Sequence, residues 1–134
     1  MEISNFDDLL RAARTQDQPQ RLLFVFAGAE LPDDSTPEER ARFEAGEGGA
    51  LTPLMCADKT LAEITGFEAL ASESRQFDRD WVMVFVAALA GRSGREPTSG
   101  EAEPVLASMV EAIKAGRIGT FIPFDRLGQS VVLG

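Results

Sequence analysis

The 134-residue chain predicts a single α/β domain over residues 1–134, with a mostly parallel or mixed sheet covered by helices and a C-terminal β-hairpin. Three observations carry that expectation. Arg21 to Ala29 and Trp81 to Leu89 are nearly unbroken apolar runs, the pattern of strands buried on both faces. Segments of helical period separate the strands, and strands joined through helices favour parallel pairing with right-handed crossovers. The chain also matches itself three times in the same order: Ile3 to Arg14 with Ile64 to Arg75, Leu23 to Ala27 with Met83 to Ala87, and Ala45 to Leu54 with Ala115 to Phe124. Offsets of 61, 60 and 70 residues read as two αβαβ-like copies, 3–58 and 64–134, with an insertion in the second.

Each element has a local cause. Ser4 or Asn5 can cap a helix to about Thr15, with Phe6, Leu9, Leu10 and Ala13 on one face and Asp7 and Asp8 in the first turn. The strand Arg21 to Ala29 follows and is broken at Pro32 to Ser35. Thr36 caps a second helix, with Pro37 in its first position. Gly46, Gly48 and Gly49 end it, and Ala50 to Cys56 reads as a strand. The second half begins with a helix from Gly66 to Phe77 and the strand Trp81 to Leu89. A loop from Gly91 to Gly100 leads to a helix over Glu101 to Ala115, with Val105, Leu106, Met109, Val110 and Ile113 at helical spacing. Gly116 is the left-handed stop after that helix. Thr120 to Phe124 and Gln129 to Leu133 flank Asp125-Arg126-Leu127-Gly128, the pattern of a hairpin.

Composition excludes several functions. A net charge of −9 argues against a nucleic-acid binder, whose affinity rests on neutralising phosphates, and against an anionic membrane surface. No apolar run reaches the roughly 20 residues that span a bilayer, and the acidic start Met1 to Asp8 lacks a signal-peptide pattern, so a cytoplasmic protein is expected. The chain has no histidine, no tyrosine and one cysteine. Ser-His and Cys-His nucleophile pairs, imidazole metal ligands and dithiol redox chemistry are thereby absent. The acidic group Glu30, Asp33, Asp34, Glu38 and Glu39 lacks EF-hand spacing, and no metal or cofactor is expected.

Two places can carry chemistry. The loop from Ala90 to Gly100 joins a strand to a helix and holds Arg92, Arg95, Thr98 and Ser99, a set suited to a carboxylate or phosphate. It lacks any nucleotide-binding glycine fingerprint, and Glu96, Glu101 and Glu103 oppose an anion. A solvated loop is the plainer account. Its counterpart in the first half, Glu30 to Asp34, is acidic, so the two loops are both solvated, or pair with each other, or one has specialised to hold an anionic group. Cys56, just past the second strand, is either a reactive thiol or an apolar filler.

Leu23 to Asp34, Arg42 to Cys56 and the stretch from Ala115-Gly116-Arg117-Ile118-Gly119 to the C-terminus resemble a family of short proteobacterial proteins. Its members are often labelled "ribonucleotide reductase subunit alpha". That label implies a thiyl-forming cysteine and a redox-active cysteine pair in a much larger barrel, which one cysteine cannot supply. The resemblance therefore brings no functional residue. The expected function is non-catalytic binding of a protein partner, through the loops Glu30 to Ser35 and Gly91 to Ser99. The alternative is binding of, or catalysis on, a small anionic metabolite through the 90–100 loop.

Overall fold

Asn5 opens the first helix by accepting a hydrogen bond from the Asp8 N–H at 2.9 Å. In the computed structural model, which describes residues 3–30, 34–44, 50–75 and 81–131, this helix is α1 (Phe6–Arg14). Its apolar stripe, Phe6, Leu9, Leu10 and Ala13, is buried. Strand β1 (Gln20–Glu30) follows. Thr36 and Glu39 cap each other reciprocally to start α2 (Pro37–Glu44). Then come β2 (Ala50–Thr60), one 3-10 turn, α3 (Phe67–Arg75), β3 (Met83–Ala90), α4 (Ser99–Lys114) and β4 (Ile122–Asp125). No helix among the described residues is long and apolar enough to cross a membrane.

The strands form one four-stranded sheet in the order β2-β1-β3-β4, and every neighbouring pair is antiparallel. This overturns the expected parallel or mixed sheet built from two αβαβ units. An apolar run records that a strand is buried on both faces but not which way its neighbour points. The connections through α2 and α4 join strands that pair side by side; only the one through α3 is a crossover, carrying the chain from β2 past β1 to β3, which runs parallel to β2 without pairing with it.

Both faces of the central pair are nevertheless covered, as their composition demands. Val25 lies opposite Phe85, flanked by Leu23 opposite Ala87 and Ala27 opposite Met83. Because side chains alternate along a strand, Phe24, Phe26, Val84 and Val86 share one face and Leu23, Val25 and Phe85 the other. The first face packs under α1 and α3 with Ile64, Trp81 and Phe124. The second packs under α4 through Ala102, Met109 and Ile113. Phe6 sits among aromatic rings, with centroids 5.5 Å from Phe67, 5.6 Å from Phe124 and 6.0 Å from Phe24. Trp81 is core, as its apolar neighbourhood implies, and its ring N–H donates to the buried Ser74 hydroxyl at 2.8 Å. Helix α2 places no described side chain in either cluster.

Two irregularities shape the margins of the sheet. Phe26 pairs with Met55 but Ala27 with Pro53, so Leu54 is an extra residue in β2, and the proline sits at an edge-strand bulge where its missing N–H is tolerated. Past β4 the chain turns through Asp125, whose carboxylate accepts from the N–H groups of Leu127 and Gln129. Among the described residues the return arm turns back antiparallel beside β4 only over a short stretch, through Asp125 N–H to Gln129 O at 2.9 Å and Val131 N–H to Pro123 O at 3.0 Å. It makes single bridges, Phe124 to Ser130 and Gln129 to Asn5, and secures the N-terminus through Phe6 N–H to Gly128 O and Ser130 N–H to Ser4 O. Positions 132 and 133 of the expected arm lie outside the described residues. So do Gly46, Gly48 and Gly49, while Gly116 takes the expected left-handed φ of 78°.

Gly128 has a φ of 79°, and a Cβ added there would meet Phe67 Cγ at 2.8 Å. A G128A variant should lose about 1–3 kcal/mol in urea unfolding, from left-handed strain and displacement of a core ring. G119A, where an added Cβ meets nothing within 4 Å, should change stability by less than about 0.5 kcal/mol.

Candidate functional site

At one end of the sheet the start of β1 lies beside the end of β3, with Gln20 opposite Ala90. The Gly91 N–H continues this contact by donating to Pro19 O at 2.8 Å. A two-residue turn follows: Arg92 and Arg95 bond to each other through both backbone pairs, and Ser93 (φ 52°) and Gly94 (φ 77°) both take positive φ. The Gly94 N–H donates to Gln18 Oε1 at 2.8 Å. Gly91 is required for this approach, since a Cβ there would lie 1.9 Å from the Arg95 carbonyl oxygen. The segment read as a solvated loop is thus tied to the chain before β1 at two points.

The second half of the loop is anchored as firmly. Pro97 is buried, and its carbonyl accepts from Arg21 Nη1 at 3.2 Å. Thr98 caps α4: its hydroxyl accepts from the Glu101 N–H at 3.1 Å, and the Glu101 carboxylate accepts from the Thr98 N–H at 3.1 Å and hydroxyl at 3.2 Å. The Ser99 hydroxyl donates to Asp58 Oδ2 at 2.7 Å, and Arg21 Nε donates to the same oxygen at 2.6 Å. One carboxylate therefore joins β2, β1 and the first turn of α4. Burial pushes the Asp58 carboxyl up, but the Ser99 and Arg21 hydrogen bonds outweigh it and leave its pKa below the ordinary value.

These anchors frame a cavity of about 350 Å³ lined by Leu89, Arg92, Arg95, Glu96, Thr98 and Glu101, with Ala90, Gly91 and Pro97 as backbone wall. Three of the four residues singled out in this loop, Arg92, Arg95 and Thr98, share it. Ser99 does not line it and is turned to Asp58. Both hydroxyls serve the helix start. Among the described residues, neither Arg92, Arg95 nor Glu96 has an ion-pair partner. Arg21, Asp58 and Gln18 support the site without any local signal, because their partners are tens of residues away in sequence. Thr98-x-x-Glu101 was the one legible sign, a capping pair that places the helix start earlier than its apolar spacing does.

No family model, curated protein or solved structure matches the chain.

The strand register separates the start of the acidic loop from the basic one. Glu30 pairs with Ala50 at one end of β1, whereas Gly91 meets Pro19 at the other, about 33 Å away along the strand. Glu30 is therefore not beside Arg92 or Arg95. Asp33 lies outside the described residues.

Cys56 lies within β2, opposite Val25, because that strand runs four residues further than its apolar stretch. It borders a separate small cavity of about 80 Å³ with Met55, Lys59, Leu70, Glu73 and Ser74. The residue is exposed, yet desolvation pushes the thiol pKa up, the opposite of activation. The nearby Lys59 ammonium is committed to Glu73 at 3.0 Å.

Two measurements check this arrangement. D58N should cost about 1–3 kcal/mol: its amide oxygen can still accept from Arg21 and Ser99, but the charge that balances the largely buried Arg21 guanidinium is gone. Because the folded pKa of Asp58 is depressed, the stability it contributes is present above about pH 4 and fades as pH falls through the lower folded value. The gap in melting temperature between wild type and D58N should therefore stay constant above about pH 5 and close below about pH 4. Cys56 should react with a thiol reagent at neutral pH more slowly than free cysteine, and faster as pH rises; labelling faster than free cysteine would contradict the raised pKa.

Proposed function

We propose that this protein is a non-catalytic, cytoplasmic binding protein that holds a small anionic group, a carboxylate or phosphate, in the cavity at Arg92 and Arg95. The observation that carries the reading is that these two guanidinium groups line one cavity without an ion-pair partner among the described residues. Two nearby carboxylates are already engaged, Asp58 by Arg21 and Ser99, and Glu101 by Thr98. An arginine pair on a two-residue turn with an anchored backbone offers forked donors from fixed starting points.

Binding is favoured over reaction because the one hydroxyl that lines the cavity, that of Thr98, is occupied in helix capping. The only thiol borders another cavity.

A thermal-shift panel of phosphate, acetate, succinate and citrate tests this. An anion that fits should stabilise by about 2.7 kcal/mol at a hundred times its Kd, a rise of several degrees. The R92A/R95A double variant, altered only at exposed positions, should melt as wild type does without ligand and show no rise with it. An equal rise in both proteins would place the anion elsewhere and end the reading.

A further inference from the structure

The lining of the same cavity is not purely basic. Arg92 and Arg95 bring two positive charges, and Glu96 and Glu101 bring two negative ones. The Glu101 carboxylate accepts from Thr98 and is held at the helix start. Glu96 has no such occupation among the described residues: no cation lies within ion-pair distance of it, although two arginines line the same cavity. Opposite charges in one small space normally collapse onto each other unless the backbone holds them apart. Here Arg92 and Arg95 are pinned by a turn bonded to Gln18, and Glu96 lies between that turn and the buried Pro97, whose carbonyl is bound by Arg21.

From this we infer that the ligand is a small zwitterion, its carboxylate on Arg92 and Arg95 and its ammonium on Glu96. The inference rests on the anion-binding reading above and narrows it. A simple dianion meets Glu96 as a repulsive neighbour, whereas a molecule carrying both signs satisfies all three unpaired groups at once. About 350 Å³ accommodates a molecule of amino-acid size. The acidic wall, an objection to an anion, then becomes the element of specificity.

The test uses L-alanine and 4-aminobutyrate, each beside its N-acetyl derivative, which keeps the carboxylate and loses the ammonium. Binding is followed by amide chemical shifts of residues 91–101 in the full chain. Both zwitterions should bind wild type about fivefold more tightly than their acetylated forms. E96Q should remove that preference by weakening both zwitterions, while the acetylated forms, relieved of a like charge, bind as well as before or better, and R92A/R95A should abolish binding of all four. If the acetylated forms bind wild type as well as the zwitterions do, and E96Q strengthens every ligand, the site is an anion site and the zwitterion inference falls while the broader reading stands. If none of the four probes, nor any simple anion, shifts these amides, both fall together.

Discussion

The pairing of β1 with β3 governs the rest of the molecule. Each strand carries apolar side chains on both faces through its central residues, and Leu22 to Ala27 and Val84 to Val86 are almost completely removed from water. A two-faced apolar sheet has no side to offer solvent, so helices must cover both. Helices α1 and α3 take one face and α4 the other, and the aromatic cluster around Phe6 closes the first of them. With the faces filled, only the ends and edges of the sheet are open to a ligand. The candidate cavity lies at an end.

That end is organised by one carboxylate. Asp58 belongs to β2, yet its oxygen is bound by Arg21 of β1 and Ser99 of α4. Both side chains of the Arg21–Asp58 pair are more than four-fifths buried, where an ion pair holds geometry at a desolvation cost and breaking it leaves a charge stranded. Through Arg21 the same knot reaches the Pro97 carbonyl, so the wall of the cavity and the core of the sheet are mechanically continuous. Arg92 and Arg95 need no such knot because their own turn, locked by positive φ at Ser93 and Gly94, already positions them.

What was legible in the sequence follows from what is local. The buried stripe of α1, the Asn5 and Thr36 helix starts and the core role of Trp81 each depend on neighbours within a few residues, and composition records them. The direction of strand pairing depends on residues far apart, and nothing in Leu23 to Ala27 or Met83 to Ala87 encodes it. The far half of β2 was missed because Asp58 and Lys59 look like turn residues, although each is satisfied by a tertiary ion pair. The Arg92 and Arg95 loop was recognisable as basic, and its Ser93-Gly94 dipeptide is a turn former. That its arginines share a cavity with an unpaired Glu96 is visible only once Gln18 and Pro19 are brought against it.

The bulge in β2 has a colloidal consequence. An 11-residue strand at the margin of a sheet is a ready template for a strand from another molecule. Pro53 offers no N–H to such a strand, and the extra residue Leu54 shifts the pleat beside it, so no foreign ladder can run unbroken along β2. The opposite margin presents only the four residues of β4, with Val131 N–H already bonded to Pro123 O at 3.0 Å. With a net charge of −9 opposing close approach of copies, the path from folded chain to fibre by edge pairing is narrowed at both sides. A chain whose central strands would be dangerous if exposed is thus guarded at its rims by one proline and a short final strand.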